Sequence, residues 1–595
     1  MSSSRSMLWS VVILIAVPVV VYLPSVLHNG FVSIDDGLLI TGNPAIQSLS
    51  SRTIVRIFTS YDPELYIPLT LLTYQIEWLL AGAQPILFHF VNLMLHIGSG
   101  VFLFFLFRKI FGVTLISFFG ALIFTLHPIH TEAVAWAAAR KDVLSAFFFF
   151  GSLVFYEYGR QKTKEGASRW SLIFFILALL AKVTASFLPF ILLLIDRRRG
   201  ERIDAKNLRG KLPYFALGAT FVAIALFGKA QGISSLGLWK TALLSSKATI
   251  FYLQKLLWPA RLSVIYGQQT PVGLNYAEFW LPAIMSASLI AVIALLWRRR
   301  FRNLSFGLSL FAIALLPNFA NFWKNNFLFF ASDRYAYIPS VGVIAIVCAA
   351  CLWLLRRNPG VRIPIIVGMG TLCATFAFLS FKQARVWRTD FSLYQNVLRW
   401  YPESAQAANN LGDAYVKAGM PEEALKLFAR AVESDHAYIQ AMVNAGSVER
   451  ELGNFDAARG WYERAIGSIS SDPRPEDLSS RYLLGELLVK IGSTEEGLSQ
   501  FRQAAETLPY AAEPYYNLAV TLHALNRGAE SIPIFEKAIA LDPDHIASRY
   551  HLAGLYAERG RLSEAIIQLE AVMRIDPGYE KAAEHLANMR RLLKK

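Results

Sequence analysis

Charge is scarce in this chain. Only 17% of its 595 residues are charged and 54% are hydrophobic, with a mean hydropathy of +0.39. That excludes an ordinary soluble protein of this size and predicts a membrane protein with a soluble part. Cysteine is nearly absent. Cys348, Cys351 and Cys373 all lie in apolar segments, which excludes a disulfide framework and reads as small core residues. No small-x-small cleavage site follows the apolar run Met7–Leu27, so that run is expected to be an uncleaved first span. Acids are outnumbered, giving a net charge of +15, yet this does not imply nucleic acid. Runs such as "DRRRG" (Asp196–Gly200) and "WRRRF" (Trp297–Phe301) sit beside apolar spans, where the positive-inside rule puts them.

What is present divides into two halves, both helical: an all-α chain. Residues 1–382 alternate apolar runs with short polar connections. They predict about eleven spans, near 7–27, 86–107, 113–127, 142–158, 170–182, 184–196, 212–229, 277–297, 303–318, 338–355 and 362–381. With the N-terminus cytoplasmic, Arg5, Arg108/Lys109, Arg160–Arg169, Arg197–Lys211, Arg298–Arg302 and Arg356–Arg362 share one side. Counting 241–258 as a span would break that pattern, so this stretch is expected to be re-entrant or interfacial. Residues 383–404 read as a connector holding part of one repeat. Residues 405–579 read as five tetratricopeptide (TPR) repeats spaced by about 34 residues, with an insertion in the second near "SSDPRPED", and 580–595 as a capping helix. The repeat aligns Leu411, Ala445, Leu484, Leu518 and Leu552. It also aligns Phe428, Tyr462, Phe501, Phe535 and Leu569, and then Pro509, Pro543 and Pro577. Such helix hairpins bury their apolar faces only by stacking into a solenoid. One position before the aligned Leu stand Asn410, Asn444, Leu483, Asn517 and His551. Amides there can line a groove and hydrogen-bond a peptide backbone, as in the asparagine ladder of the soluble O-GlcNAc transferase, or can simply be tolerated small polar residues.

Polar groups on the assigned outer face are the informative ones: Asp35/Asp36, then "HPIHTEAVAWAAARKD" (His127–Asp142), then "ASDRYAYIPS" (Ala331–Ser340). Arg140, Lys141 and Arg334 are basic where insertion energetics disfavours them. Bland alternatives exist for each. Asp35/Asp36 can cap a helix, His127 and His130 can bond backbone carbonyls, Arg140 can pair with Asp142, and Arg334 can snorkel. Together the three clusters predict one water-accessible site that binds an anion and moves a proton. His89, Asn92 and His96 share one helix face, as interhelical hydrogen-bond partners or as site-lining groups.

These motifs, in this order and ahead of TPRs, resemble the transmembrane-and-TPR (TMTC) family, GT-C-fold glycosyltransferases related to protein O-mannosyltransferases. The resemblance rests on "DDGLLITGNPAI" (Asp35–Ile46), "YIPLTLLTY" (Tyr66–Tyr74), "FHFVNLMLH" (Phe88–His96), His127–Ser145, "LAKVTASFLP" (Leu180–Pro189), "WPARLSVIYG" (Trp258–Gly267) and "DRYAYIPSVG" (Asp333–Gly342). The chain has Ile67 where the family usually has Arg, and Val183 where it usually has Glu. The resemblance implies transfer of one sugar from a polyprenyl-phosphate carrier to a protein Ser or Thr on the non-cytoplasmic face, with inversion. It also implies that Asp35 and Asp36 are catalytic. Asp36 is the expected general base, with Asp35 either raising its pKa by like-charge repulsion or orienting the acceptor. Arg334, Arg140, Lys141 and Lys182 would hold the lipid phosphate. His127, His130, Glu132, Asp142, His89, Asp333 and Tyr335 would line the site. No cofactor is expected, with a divalent metal near His127, His130 and Glu132 as the alternative. The competing expectations are a non-catalytic membrane-anchored TPR scaffold and a lipid-linked polymer ligase or flippase. The lone sequon, "NLS" at Asn303, falls on the cytoplasmic side. A bacterial inner membrane with periplasmic TPRs is therefore favoured over an ER membrane with lumenal ones.

Overall fold

The computed structural model describes residues 2–61, 65–160, 165–229, 237–267, 270–320, 322–324, 327–469, 475–576, 578–579 and 581–594. Pro577 and most of the "SSDPRPED" insertion lie outside the described residues. The chain divides into two compact units, Met1–Pro402 and Glu403–Lys595. Both are helical. Among the described residues the only strands are the two-residue antiparallel pair Trp323–Lys324 and Phe327–Leu328.

Among the described residues of the first unit, five helices are long and apolar enough to cross a bilayer: Arg5–His28, Pro85–Phe111, Ala277–Arg298, Ser340–Arg357 and Pro359–Arg388. A sixth candidate, Thr114–Leu126 with Pro128–Ala135, bends by 48°. The eleven expected spans are therefore not all long helices. The expected span 184–196, for example, opens as a 3-10 turn (Val183–Phe187) and then runs only from Leu188 to Arg199. Residues 241–258 lie almost wholly in one continuous 20-residue helix, Leu238–Leu257, carrying Lys240, Lys247 and Lys255. Helix Pro68–Ala81 lies in a segment where no span is expected from the apolar runs.

Pro85–Phe111 is the hub. It packs against Ser2–His28, Thr114–Leu126 and Arg140–Gly159. Arg302–Leu315 and Ser340–Arg357 approach most closely at two glycines, where a Cβ on Gly342 would run into the Gly307 carbonyl oxygen. Backbone on backbone leaves nothing to give, so small residues are required at this crossing. The crossing fixes the start of Ser340–Arg357, immediately after the turn that carries Arg334.

Helix Arg140–Gly159 spans 20 residues, about 30 Å at 1.5 Å per residue, the thickness of a hydrocarbon core. Its N-terminal end carries Arg140, Lys141 and Asp142, and its C-terminal end is followed by Arg160. Arg160 pairs with Asp196 and Glu201, and Arg199 pairs with Glu157. The unit thus has an acid–base pole and an arginine pole. Met7 Sδ accepts from Arg108 at 3.3 Å near the arginine pole. At the other end of that first helix, Asn29 donates to the Ala384 carbonyl at 3.2 Å, and Gly30 N–H to the Arg388 carbonyl at 3.0 Å. Helices Ser2–His28 and Arg362–Ala384 therefore both run from the arginine pole to the acid–base pole.

In the second unit, five helix pairs follow: Ala405–Lys417/Pro421–Ser434, Ile439–Glu451/Phe455–Gly467, Ser479–Lys490/Thr494–Thr507, Ala512–Ala524/Gly528–Leu541 and Ile546–Glu558/Leu562–Ile575. Helix Ala582–Leu593 closes the row. The aligned Leu/Ala and aromatic/Leu positions are all buried. The turn inside each pair needs a left-handed residue. Gly419, Gly453, Gly492 and Gly560 supply it, and Asn526 takes the place of glycine in the fourth (φ +60).

Candidate active site

The acid–base pole gathers segments remote in sequence. The chain leaves helix Ser2–His28 and turns back at Asp35–Asp36 before a short π-helical turn, Gly37–Thr41. The two aspartates face opposite ways. Asp36 is fully buried. Its Oδ1 accepts from Ala138 N–H and its Oδ2 from Val32 N–H, both at 2.8 Å. It staples its own loop to the Ala137–Ala139 turn and makes no helix-capping bond. Burial pushes its pKa up to about 7, the two backbone bonds hold it down, and the Asp35 charge adds a smaller upward push. Asp35 instead keeps a third of its side chain exposed and faces Lys141 at 3.4 Å. The sequence reading favours Asp36 as the general base. The structure makes Asp35 the accessible one, because Asp36 has both oxygens committed to backbone.

The raised Asp36 pKa has a consequence for stability. The folded protein holds a proton there between about pH 4 and 7 that the unfolded chain releases. Its contribution to stability is therefore full below about 4 and falls as pH rises through 7. Melting temperatures of the purified protein between pH 4.5 and 8 are expected to carry this downward component. Asp36→Asn is expected to flatten it.

Around Asp35 lie three cations. Lys141 and Arg334 share the face of Trp136, at 5.8 and 4.9 Å from its centroid. Lys182 and Arg334 share Tyr335, at 5.4 and 5.0 Å. Lys182 bonds Asp142 Oδ1 at 2.6 Å. Arg334 pairs through Nη1 with Glu132 and bonds Ser332 Oγ at 2.7 Å. Its Nε makes no hydrogen bond among the described residues and lies 3.9 Å from Asp142 Oδ2. A small pocket opens here, bordered by Asp142, Lys182, Asn318, Arg334, Tyr335 and Tyr337. Arg334 is only 13% exposed and ion-paired, so it is not snorkelling to headgroups. Asp333 beside it is an anchor, accepting from the buried Tyr266 hydroxyl at 2.7 Å.

Arg140 belongs to a different network. It is fully buried and all five of its N–H groups are spent. Nε donates to Asn92, Nη1 to Thr73 Oγ1 (3.2 Å) and Glu77, and Nη2 to Glu77 Oε2 (3.0 Å) and the Phe88 carbonyl (2.8 Å). No donor remains for a phosphate, and its partner is Glu77, not Asp142. The histidines are likewise internal. His127 bonds the Leu256 carbonyl (3.0 Å) and accepts from Ile129 N–H (3.2 Å). His130 bonds the Phe124 carbonyl (2.7 Å) and Ser340 Oγ (3.0 Å). Their ring nitrogens are occupied, so they do not fit a metal. Among the described residues no three His, Cys, Asp or Glu side chains form a metal-holding group. His89 sits 3.3 Å from the Gly30 carbonyl, bracing the approach to Asp35. Asn92 donates to the Trp136 carbonyl (2.9 Å), and His96 joins Tyr337 (2.6 Å) to the Thr125 carbonyl (3.0 Å). These are interhelical bonds. Glu77 and Trp136 are the residues a sequence search for outer charges does not single out.

In the second unit, Asn410, Asn444, Asn517 and His551 are each half-buried on first helices. Asn444 donates to Asn409 at 3.0 Å, and Asn409 to Asn410 at 3.2 Å, an amide chain linking two repeats. His551 stacks on Phe535 (6.0 Å, 5°).

Fold and site together define a membrane protein with a helical body, a charged cleft at one pole and a TPR solenoid. Tetratricopeptide-repeat family models match residues 392–439, 411–473, 482–546 and 522–589. Over most of its length the chain is similar to human "Protein O-mannosyl-transferase TMTC3", 23% identical over 554 residues, covering 83% of this chain and 59% of the relative. It is also similar to human TMTC4 (24%, covering 63% and 58%) and to the Caenorhabditis elegans protein O-mannosyl-transferase F38B6.6 (25%, covering 72% and 63%). The chain is similar to the TMTC proteins over most of its length and carries TPR repeats. It spans a little under two thirds of those relatives' length. Among solved structures, YrrB, a TPR protein with an unusual peptide-binding site, is 21% identical (32% of this chain, 96% of that one, TM-score 0.24). A thermophilic TPR protein from Thermus thermophilus is 22% identical (31% and 98%, TM-score 0.25).

Proposed function

We propose that this protein is a GT-C-type, inverting glycosyltransferase. It moves one sugar from a polyprenyl-phosphate carrier to a Ser or Thr hydroxyl of a protein on the non-cytoplasmic face, and the TPR groove holds the acceptor. The observation that carries this is the convergence of an accessible carboxylate, Asp35, with Lys141, Lys182 and Arg334 beside a pocket. The arginine pole lies a membrane thickness away and belongs to the cytoplasm by the positive-inside rule. A bacterial inner membrane with the solenoid in the periplasm fits that orientation.

The acceptor oxygen attacks the anomeric carbon as the bond from that carbon to the phosphate oxygen breaks. The hydroxyl proton passes to the Asp35 carboxylate, and the carrier leaves as polyprenyl phosphate with inverted stereochemistry at the sugar. Arg334 contributes its uncommitted donors to the phosphate. Lys141 and Lys182 supply charge where the leaving group becomes more negative. Asp36 and Arg140 act as positioning residues. Purified protein given polyprenyl-phosphate mannose and a Ser/Thr-containing acceptor should release polyprenyl phosphate and glycosylated acceptor in equal amounts. Capture of acceptor without transfer from any polyprenyl-phosphate sugar would instead make the protein a scaffold.

A further inference from the structure

The arginine pole holds a second hollow, remote from the acid–base cluster. It is open to solvent and is bordered by Arg197, Arg202, Arg300, Arg302 and Trp297. Its two acids are already committed. Glu201 pairs with Arg160, and Asp204 accepts from Asn207 N–H at 2.8 Å. Among the described residues, Arg197, Arg202, Arg300 and Arg302 have no carboxylate within ion-pair distance. Arg197 lies on the Trp297 ring at 4.8 Å, and the Trp297 indole is held by Ser309 Oγ at 3.1 Å.

The backbone shows that one of these charges, Arg300, is held there at a cost. Helix Ala277–Arg298 ends with Arg300 N–H bonding the Trp297 carbonyl (3.2 Å) and Phe301 N–H the Leu296 carbonyl (3.0 Å). That is a Schellman ending, whose left-handed position is normally glycine. The facing helix, Leu188–Arg199, ends the same way and does use glycine, Gly200 at φ +89. Here the left-handed residue is Arg300, at φ +63. A cheaper residue exists for the turn, and the chain carries a guanidinium instead. The Arg302 guanidinium packs over Gly200, where a Cβ would lie 2.7 Å from it.

The surroundings indicate what the arginines meet. Leu281, Ile284, Met285, Ile290 and Leu295 are exposed along helix Ala277–Arg298. The apolar track leads to Trp297, an interfacial residue type, and ends at the arginines. We propose that this hollow binds the phosphate of an anionic membrane lipid, with the acyl chains lying along Ala277–Arg298. The ligand chemistry is a phosphate oxyanion. The apolar track favours a lipid over free phosphate as its source.

Native mass spectrometry of the full-length protein tests this, with phosphatidylglycerol, phosphatidylcholine and inorganic phosphate as probes. Phosphatidylglycerol should be retained in preference to phosphatidylcholine. Retention should fall roughly 5-fold in Arg300→Gly and about 30-fold in Arg202→Gln/Arg302→Gln. Arg300→Gly should melt no lower than the parent, since glycine suits that turn, so a loss of lipid there is not a loss of fold. Equal retention of the two lipids, or unchanged retention in both variants, would overturn the proposal. Displacement of phosphatidylglycerol by millimolar inorganic phosphate would overturn the lipid source.

Discussion

Asp35→Asn is expected to remove sugar transfer almost entirely while leaving the melting temperature within a few degrees of the parent. A positioned base contributes about 10²–10⁴-fold, and an amide cannot take the hydroxyl proton. The structural cost is small, because Asp35 is one third exposed and its pairing with Lys141 is at 3.4 Å. The asparagine amide oxygen can still accept from the buried Lys141 ammonium, so the lysine keeps a polar partner. Asp36→Asn should behave in the opposite way. An amide can offer only one acceptor oxygen where Asp36 offers two to Val32 and Ala138, so that variant should loosen the loop and keep partial transfer. Parallel assays of transfer and melting separate the two. Full transfer by Asp35→Asn, with a folded but inactive Asp36→Asn, would return the base to Asp36.

The second large effect is structural. Arg140→Met leaves Glu77, 5% exposed, as an unpaired buried carboxylate. It also strips a donor from Asn92 and from the Phe88 carbonyl. Breaking one half of a buried pair costs about 3–5 kcal/mol, enough to lose most folded protein from the membrane. Arg140→Met/Glu77→Leu removes both charges and should recover most of the folded yield, since apolar replacement of a buried pair is often neutral or stabilising. The double variant should also retain transfer within about 10-fold, the cost of imperfect positioning. A phosphate-binding Arg140 would instead leave the double variant as inactive as the single one.

The two aspartates show where the sequence stops being informative. Adjacent residues with the same side chain give no periodicity from which to tell the inward one. That choice is made by the Ala138 and Val32 amides, one of them 102 residues away. Arg140 was legible as a charge needing an explanation and not as a charge already provided with one. The missing signal is Glu77, the single acid in the apolar stretch Pro68–Ala81. An intramembrane acid implies a basic partner, and looking for one would have turned attention from Asp142. The repeats were more legible because each is specified locally. The aligned Leu411, Ala445, Leu484, Leu518 and Leu552 are all at most 5% exposed, and short-range hairpin packing needs no distant residue to place it. Span number was less legible because apolarity does not distinguish a long helix from two short ones joined by a 3-10 turn, as at Val183–Phe187.

The central claim, transfer of a single sugar to protein at the acid–base pole, is tested most directly by intact mass. Non-cytoplasmic acceptor proteins would be co-expressed with the parent, with Asp35→Asn and without the chain. Discrete single-sugar additions on Ser or Thr are predicted with the parent alone. Identical acceptor masses in all three, with the protein folded in the membrane, would contradict the account.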